Sequence, residues 1–262
     1  MKPGNIRIAG VLALAAGLAT AAAAEEACPS TGKPIATDRP DVTNSSLVVP
    51  AGSFQNENGI NVSAIGSGRT LDATNSRLRL GVAPCLEILV DLPSRVFRLR
   101  GDVPSGFTNV TPAIKWQISP DPGKFDLSIT AGAALATGDR ALNGPGTQPY
   151  LQVPWSYELK DGWGTSGMFT VFYRPSDPQT KLITETTFSL EKELREDLSV
   201  FWEYVGDFPD HGRSQQLFNT GTSWHVTKLQ QIDGRVAFGL NSNSPDFILG
   251  LGYSFRADGL FK

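Results

Sequence analysis

Apolar and polar residues alternate strictly, about eight to ten residues at a time, and the pattern repeats along most of the chain. This restricts the fold more than any other feature, because only a β-strand sends successive side chains to opposite faces, whereas a helical period of 3.6 would scramble the two sets. Val110, Pro112, Ile114, Trp116 and Ile118 alternate with Asn109, Thr111, Ala113, Lys115 and Gln117. A polar turn over Ser119–Lys124 then leads into Phe125, Leu127, Ile129 and Ala131 against Asp126, Ser128 and Thr130. Leu151 to Leu159 turns at Lys160–Gly162 into Trp163–Tyr173, and Thr186 to Glu191 turns at Arg195–Asp197 into Leu198–Tyr204. A further hairpin turns at Thr227–Lys228, and Phe247, Leu249, Leu251, Tyr253 and Phe255 close the series. With earlier strands at about 52–65, 74–82 and 86–95, the count is twelve, and the fold class is all-β.

Residues 1–24 read as a secretory signal peptide: Lys2 and Arg7 precede an apolar run from Ile8 to Thr20, and Ala22 and Ala24 form a small-x-small cleavage site. Export, with cleavage after Ala24, is expected. A formal charge of -3 and a pI near 5.5 give no basic footprint for nucleic acid. No later stretch has the roughly 18 consecutive apolar residues of a spanning helix.

Connections near residues 84, 121, 161, 196 and 228 read as short, and those at 66–73, 97–107, 137–147, 174–180, 206–215 and 241–245 as mostly longer. Short periplasmic turns, longer extracellular loops and an even strand count are what a transmembrane up-and-down β-barrel requires, and a soluble sandwich does not. Trp116, Trp155, Trp163, Trp202 and Trp224 all fall near the short turns, where an aromatic girdle would stand. The opposite face carries Glu57, Arg77, Arg79, Glu87, Asp91, Lys115, Asp126, Glu158, Glu191, Glu203, Asp233, Arg235 and Arg256, the candidate lumen lining. Turned to lipid near the midplane, each Arg or Lys would cost roughly 2–4 kcal/mol; in a solvated lumen they can pair. Closure also removes the open sheet edge that hydrocarbon forbids.

Thr37-Asp-Arg-Pro-Asp41, then Val49-Pro-Ala-Gly-Ser-Phe54 entering the first strand, resembles the start of the outer-membrane transporters named for the meta-pathway of phenol degradation. Phe201-Trp-Glu-Tyr-Val-Gly206, Gly239 to Phe247 and Leu249-Gly-Leu-Gly-Tyr-Ser-Phe255 resemble the end of the same family. The resemblance implies an outer-membrane β-barrel that passes small, often aromatic or hydrophobic, compounds. The tail at 257–262 departs from it, since such barrels usually stop at the last aromatic; Phe255 and Phe261 both remain candidates for the assembly signal. Expected partners are outer-membrane lipid, the barrel-assembly machinery and a small-molecule solute, with no cofactor and no metal.

An enzymatic barrel, lipase-like, is the alternative, and a purely structural barrel is a third class. Catalysis needs a nucleophile beside a base, and the chain has only His211, in the loop around 207–212, and His225, with Ser223 on the same face. No Gly-x-Ser-x-Gly elbow occurs. Glu191 and Glu193 read as a lumen stripe. The domain plan is a segment at 25–51 in the periplasm or plugging the barrel, then the barrel at 52–256. Cys28 and Cys85 would lie on the periplasmic side and pair there, since that compartment oxidises thiols. The tethered stretch Thr37–Asp41 would then narrow the pore, with Asp38, Arg39 and Asp41 finding partners among Arg77, Arg79, Glu87 and Asp91.

Overall fold

The computed structural model describes residues 28–119 and 123–261; the expected signal peptide at 1–24 and the apex of the turn at 120–122 lie outside the described residues. Its strand segments are β1 (Phe54–Ile65), β2 (Gly68–Ala73), β3 (Arg77–Ala83), β4 (Leu86–Asp91), β5 (Arg95–Arg100), β6 (Gly106–Phe107), β7 (Thr111–Gln117) and β8 (Phe125–Ala134). After the one-turn helix α1 (Arg140–Asn143) come β9 (Gln148–Glu158), β10 (Trp163–Tyr173), β11 (Leu182–Arg195), β12 (Leu198–Pro209), β13 (Gln215–Thr227), β14 (Gln230–Gly239) and β15 (Phe247–Ala257). All the strand pairings are antiparallel, and β1 pairs with β15 from Phe54↔Ala257 to Ala64↔Phe247, which closes the barrel.

The wall holds twelve strands, because three are interrupted. β2 and β3 both pair with β1, β5 continues β4 by pairing with β2, and β6 continues β7 by pairing with β5. The sheet therefore runs on through two stretches expected to be loops, 66–73 and 97–107. Gly66, at φ 52°, lets the chain reverse in the two-residue turn Gly66–Ser67. The alternation of short and long connections consequently fails at the first hairpin. β12 likewise extends to Pro209, so Asp207 is a strand residue and not a loop residue.

Large apolar side chains face outward. Trp116, Ile114, Phe169, Phe188, Leu249 and Leu251 are about half exposed, while Arg79, Glu87, Glu57, Lys115 and Glu203 are fully buried inside. This inversion of the usual soluble pattern follows from the period of two: one face meets lipid and the other the lumen. All five Trp residues sit on the outward face near the short turns; Trp163 lies 6.2 Å from Trp202 and Trp155 6.4 Å from Phe188, ring centre to ring centre. The interior is filled by the stretch from Ile35 to Pro50, buried or half-buried throughout, whereas residues 30–34 before it are exposed.

Candidate functional site

Strand register assembles the wall of the site. Glu57 on β1, Arg77 on β3 and Asp91 on β4 stand directly opposite one another in one row, and Glu87 on β4 opposes Lys115 on β7. Cross-strand partners on one face lie about 5 Å apart, which makes these rows ion-pair ladders. Arg77 grips Asp91 with two bonds, Nε to Oδ1 at 2.6 Å and Nη2 to Oδ2 at 3.0 Å. Arg79, wholly buried, reaches Glu57 at 3.0 Å and Glu87 at 3.0 Å. Such a charge is tolerated only because its donors are all engaged; removing one partner of a buried pair costs about 3–5 kcal/mol.

The plug enters this lattice at Asp38. Its backbone N–H donates to Glu57 at 3.0 Å, and its carboxylate meets Arg77 at 2.8 Å, Arg79 at 3.3 Å and Lys115 at 3.4 Å. Burial by itself would raise the Asp38 carboxyl, yet Arg79, Lys115 and Arg77 hold it well below the usual carboxylate range. The same carboxylate accepts the Ser45 N–H at 2.9 Å, folding residues 38–45 into a compact loop. On the far side of the lumen Glu203 receives the N–H groups of Val42 at 3.0 Å and Thr43 at 2.7 Å, and the Thr43 hydroxyl at 2.7 Å. Asn219 donates to the same carboxylate at 2.7 Å.

Arg39 does not join Glu87 or Asp91 as expected. It crosses to the closure seam, where Nη2 meets Asp233 at 3.2 Å and the Leu251 carbonyl at 3.3 Å. The reason is a gap in the wall: Gly59 on β1 and Gly252 on β15 are register partners, and a Cβ on either would collide with the guanidinium. Asp41 has no ionic partner in contact among the described residues. Its carboxyl is pushed well above the ordinary range, by burial first and then by Glu203 and Glu191.

Further along, the Val48 N–H donates to Gln117 at 3.0 Å and the Val49 N–H to Glu87 at 2.6 Å. The entering leg is held by Arg256, which donates to the Lys33 and Pro34 carbonyls, and by the Ile35 N–H on the Lys228 carbonyl at 2.8 Å. Cys28 and Cys85 form a disulfide, with their Cα atoms 5.0 Å apart, that ties this leg to the short turn between β3 and β4. β15 ends at Ala257, and the Leu260 N–H returns to the Gly52 carbonyl.

Open space remains on both sides of the plug. An upper cavity of about 530 Å³, toward the longer loops, reaches Asp72, Asn75, Ser94, Thr108 and Arg174. A lower one of about 240 Å³, toward the short turns, reaches Ser199, Ser223, His225 and Gln231. Arg39, Pro40, Asp41 and Asn44 line both, so the partition between them is one layer of chain. Asp126, Glu158 and Glu191 face a further cavity at the lower rim, and Glu191 also lines the lower cavity beside the plug loop. Ser223 and His225 share the lower cavity without a hydrogen bond between them among the described residues, and His211 lies in the loop after β12, at 3.5 Å from Asp210. Thr43, Asn44, Gln117, Asn219 and the Gly59–Gly252 pair were not singled out by the sequence. Nothing local distinguishes them, since each acquires its role from a partner on a distant strand.

A closed antiparallel barrel with an aromatic outer girdle, a charged lumen and its own N-terminal segment folded inside is an outer-membrane β-barrel of the plugged kind. The chain belongs to the family described as "Putative MetA-pathway of phenol degradation", which it matches over residues 37–257. Among solved structures it is similar to the COG4313 outer membrane channel from Pseudomonas putida F1, at 14% identity and a TM-score of 0.62, covering 80% of this chain and 97% of that one. It is also similar to the NanC porin, at 9% identity and a TM-score of 0.57 over 77% of this chain and 98% of that one. The KdgM porin follows at 11% and 0.51, over 78% and 98%. At such identities the likeness is one of fold. No curated protein matches the chain.

Proposed function

We propose that the protein is a passive outer-membrane channel for small compounds, reached by export with a cleaved leader, and that the loop around Asp38, Arg39 and Asp41 is its barrier. One observation carries this reading: the same four residues, Arg39, Pro40, Asp41 and Asn44, line the cavity above and the cavity below, so the loop stands between the two solvent spaces. The barrier is fastened by three separable charged contacts, Asp38 to the Arg77–Arg79–Lys115 cluster, Arg39 to Asp233, and Val42 and Thr43 to Glu203, beside neutral bonds such as Asn44 to Gln152 and Ser46 to Ser156. Each of the three is a charge contact on a short loop, a design that holds a segment in place while leaving it displaceable. No energy source is built into the chain, so passage is diffusion. The protein acts without catalysis, its partners being lipid, the assembly machinery and the solute.

Deletion of residues 25–44 tests the proposal in liposomes loaded with a small solute. The deletion should form a heat-modifiable barrel with at least tenfold greater flux than the full mature chain. A folded deletion with unchanged flux would reject the barrier, and a folded deletion that hydrolyses an ester without passing solute would favour the enzymatic alternative.

A further inference from the structure

The upper cavity contains a guanidinium that the plug does not use. Arg77, Arg79, Arg174 and Arg256 each have a carboxylate within ion-pair distance, whereas among the described residues Arg235 has none. Its one hydrogen bond is a long one, Nη2 to Asn61 Oδ1 at 3.4 Å. Arg235 lines the open space of the upper cavity together with Asn61.

This position is built across three strands. Arg235 on β14 is the register partner of Gly250 on β15, and Gly250 is the partner of Asn61 on β1. A Cβ at Gly250 would stand 2.6 Å from Asn61 Oδ1 and 3.0 Å from Arg235, so the glycine is what lets the arginine lie flat against the wall and face the cavity. One row below, Arg39 lies over Gly252 and Gly59, with its Nε buried and without an acceptor. Two guanidinium groups thus stand in adjacent rows at the cavity floor. The carboxylates in range are already engaged: Asp233 by Arg39, and Glu203 by Val42, Thr43 and Asn219. Asp41, the third, favours its neutral form.

The lining also carries Arg77 and Arg174 and the carboxylates of Asp38, Glu57, Asp72 and Asp91, of which Asp38, Glu57 and Asp91 are paired with Arg77 or Arg79 and Asp72 accepts from Ser94 and Asn75. The remainder is mostly amide and hydroxyl, including Asn75, Asn109, Asn143 and Thr108, with Leu92 and Leu142 among the few apolar groups and no aromatic ring. An apolar solute here would strand these polar groups without water, at about 1–3 kcal/mol apiece. At about 530 Å³ the space is of ordinary ligand-site size.

We propose that this cavity is a docking site for a small hydroxylated carboxylate, its carboxylate forked on Arg235 beside Arg39 and its hydroxyls on the surrounding amides. A guanidinium fork matches a carboxylate with two parallel bonds, and an anion between two like-charged arginines relieves their repulsion. The proposal deepens the channel reading, of which it names the solute class. It departs from the aromatic or hydrophobic compounds that the family resemblance implies.

Ligand-detected NMR on the full mature protein in detergent tests the site with no requirement for transport. The probes are gluconate, glucose as its neutral counterpart, glucosamine as the cation, and benzyl alcohol. Gluconate should bind at least tenfold more tightly than the other three, Arg235→Gln should remove that preference, and Arg235→Lys should retain part of it. Gluconate binding no tighter than glucose in the wild-type protein would overturn the proposal whether or not a variant folds. Unchanged gluconate affinity in a heat-modifiable Arg235→Gln barrel would overturn it equally. Gluconate binding without flux in liposomes would leave the site standing and reject the channel, while flux of all four probes without selective binding would do the reverse.

Discussion

Replacing Glu203 by Ala removes the one carboxylate that Val42 and Thr43 of the plug loop share, while the neutral contacts of Thr43 with Thr187, Asn44 with Gln152 and Ser46 with Ser156 remain. Three plug donors lose their partner: the Val42 N–H at 3.0 Å, the Thr43 N–H at 2.7 Å and the Thr43 hydroxyl at 2.7 Å. Hydrogen bonds to a charged group contribute about 1.5–3 kcal/mol each, which would total about 4.5–9 kcal/mol if nothing replaced them. The shortened side chain leaves room for water beside the lower cavity, so about 1 kcal/mol per donor is the defensible net figure. A loss of about 3 kcal/mol shifts the seated-to-displaced equilibrium of the loop by roughly 150-fold. Single-channel recording in planar bilayers should register this as an increase of about two orders of magnitude in open probability, with Glu203→Gln intermediate because its carbonyl still accepts. A heat-modifiable Glu203→Ala barrel with wild-type open probability would refute the idea that these bonds hold the barrier.

Three further outcomes follow from the same contacts. Arg39→Ala and Gly59→Val attack one niche from its two sides, so each should raise liposome flux several-fold and the double variant should add little to either; additive effects would mean that the niche is not a shared contact. Cys28→Ser should lower stability by about 4 kcal/mol in the chain-entropy model and expose the segment near residue 33 to protease added on the periplasmic side; protection equal to wild type would show that the disulfide does not hold that leg. Conductance should rise between pH 5 and pH 8. Asp41, whose proton is retained by burial and by Glu203 and Glu191 despite Arg235 nearby, stabilises the seated loop fully at low pH and loses that contribution as pH rises from the ordinary carboxylate range of about 4. Asp38, held ionised by Arg79, Lys115 and Arg77, loses its contribution only below that range, outside this window. An Asp41→Asn channel with the wild-type pH profile would contradict the assignment.

The alternation that runs from Val110 to Ile118 or from Phe247 to Phe255 is a local property, so the strands, their two faces and the presence of charge in the lumen were legible from the residues. Parity alone put Glu57, Arg79, Glu87 and Lys115 on one face, and the two cysteines on one end. Short interrupted pieces were not legible: β2, β5 and β6 break off after only two to six residues, too few for a period of two to stand out from a loop. The partners were less legible still. Glu203 meets Thr43 across 160 positions, and Arg39 meets Asp233 across 194, because those contacts exist only after β1 has closed on β15. Which charge faces which gap depends on the relative register of strands, a quantity shared by the whole closed sheet and carried by no single segment. The residues by themselves therefore determined a barrel with a charged interior and a tethered N-terminal leg. Only the closed tertiary structure set Gly59 opposite Gly252, turned Arg39 away from the Arg77–Asp91 row into that gap, and left Arg235 facing open space, since closure is what brings the first and last strands into contact.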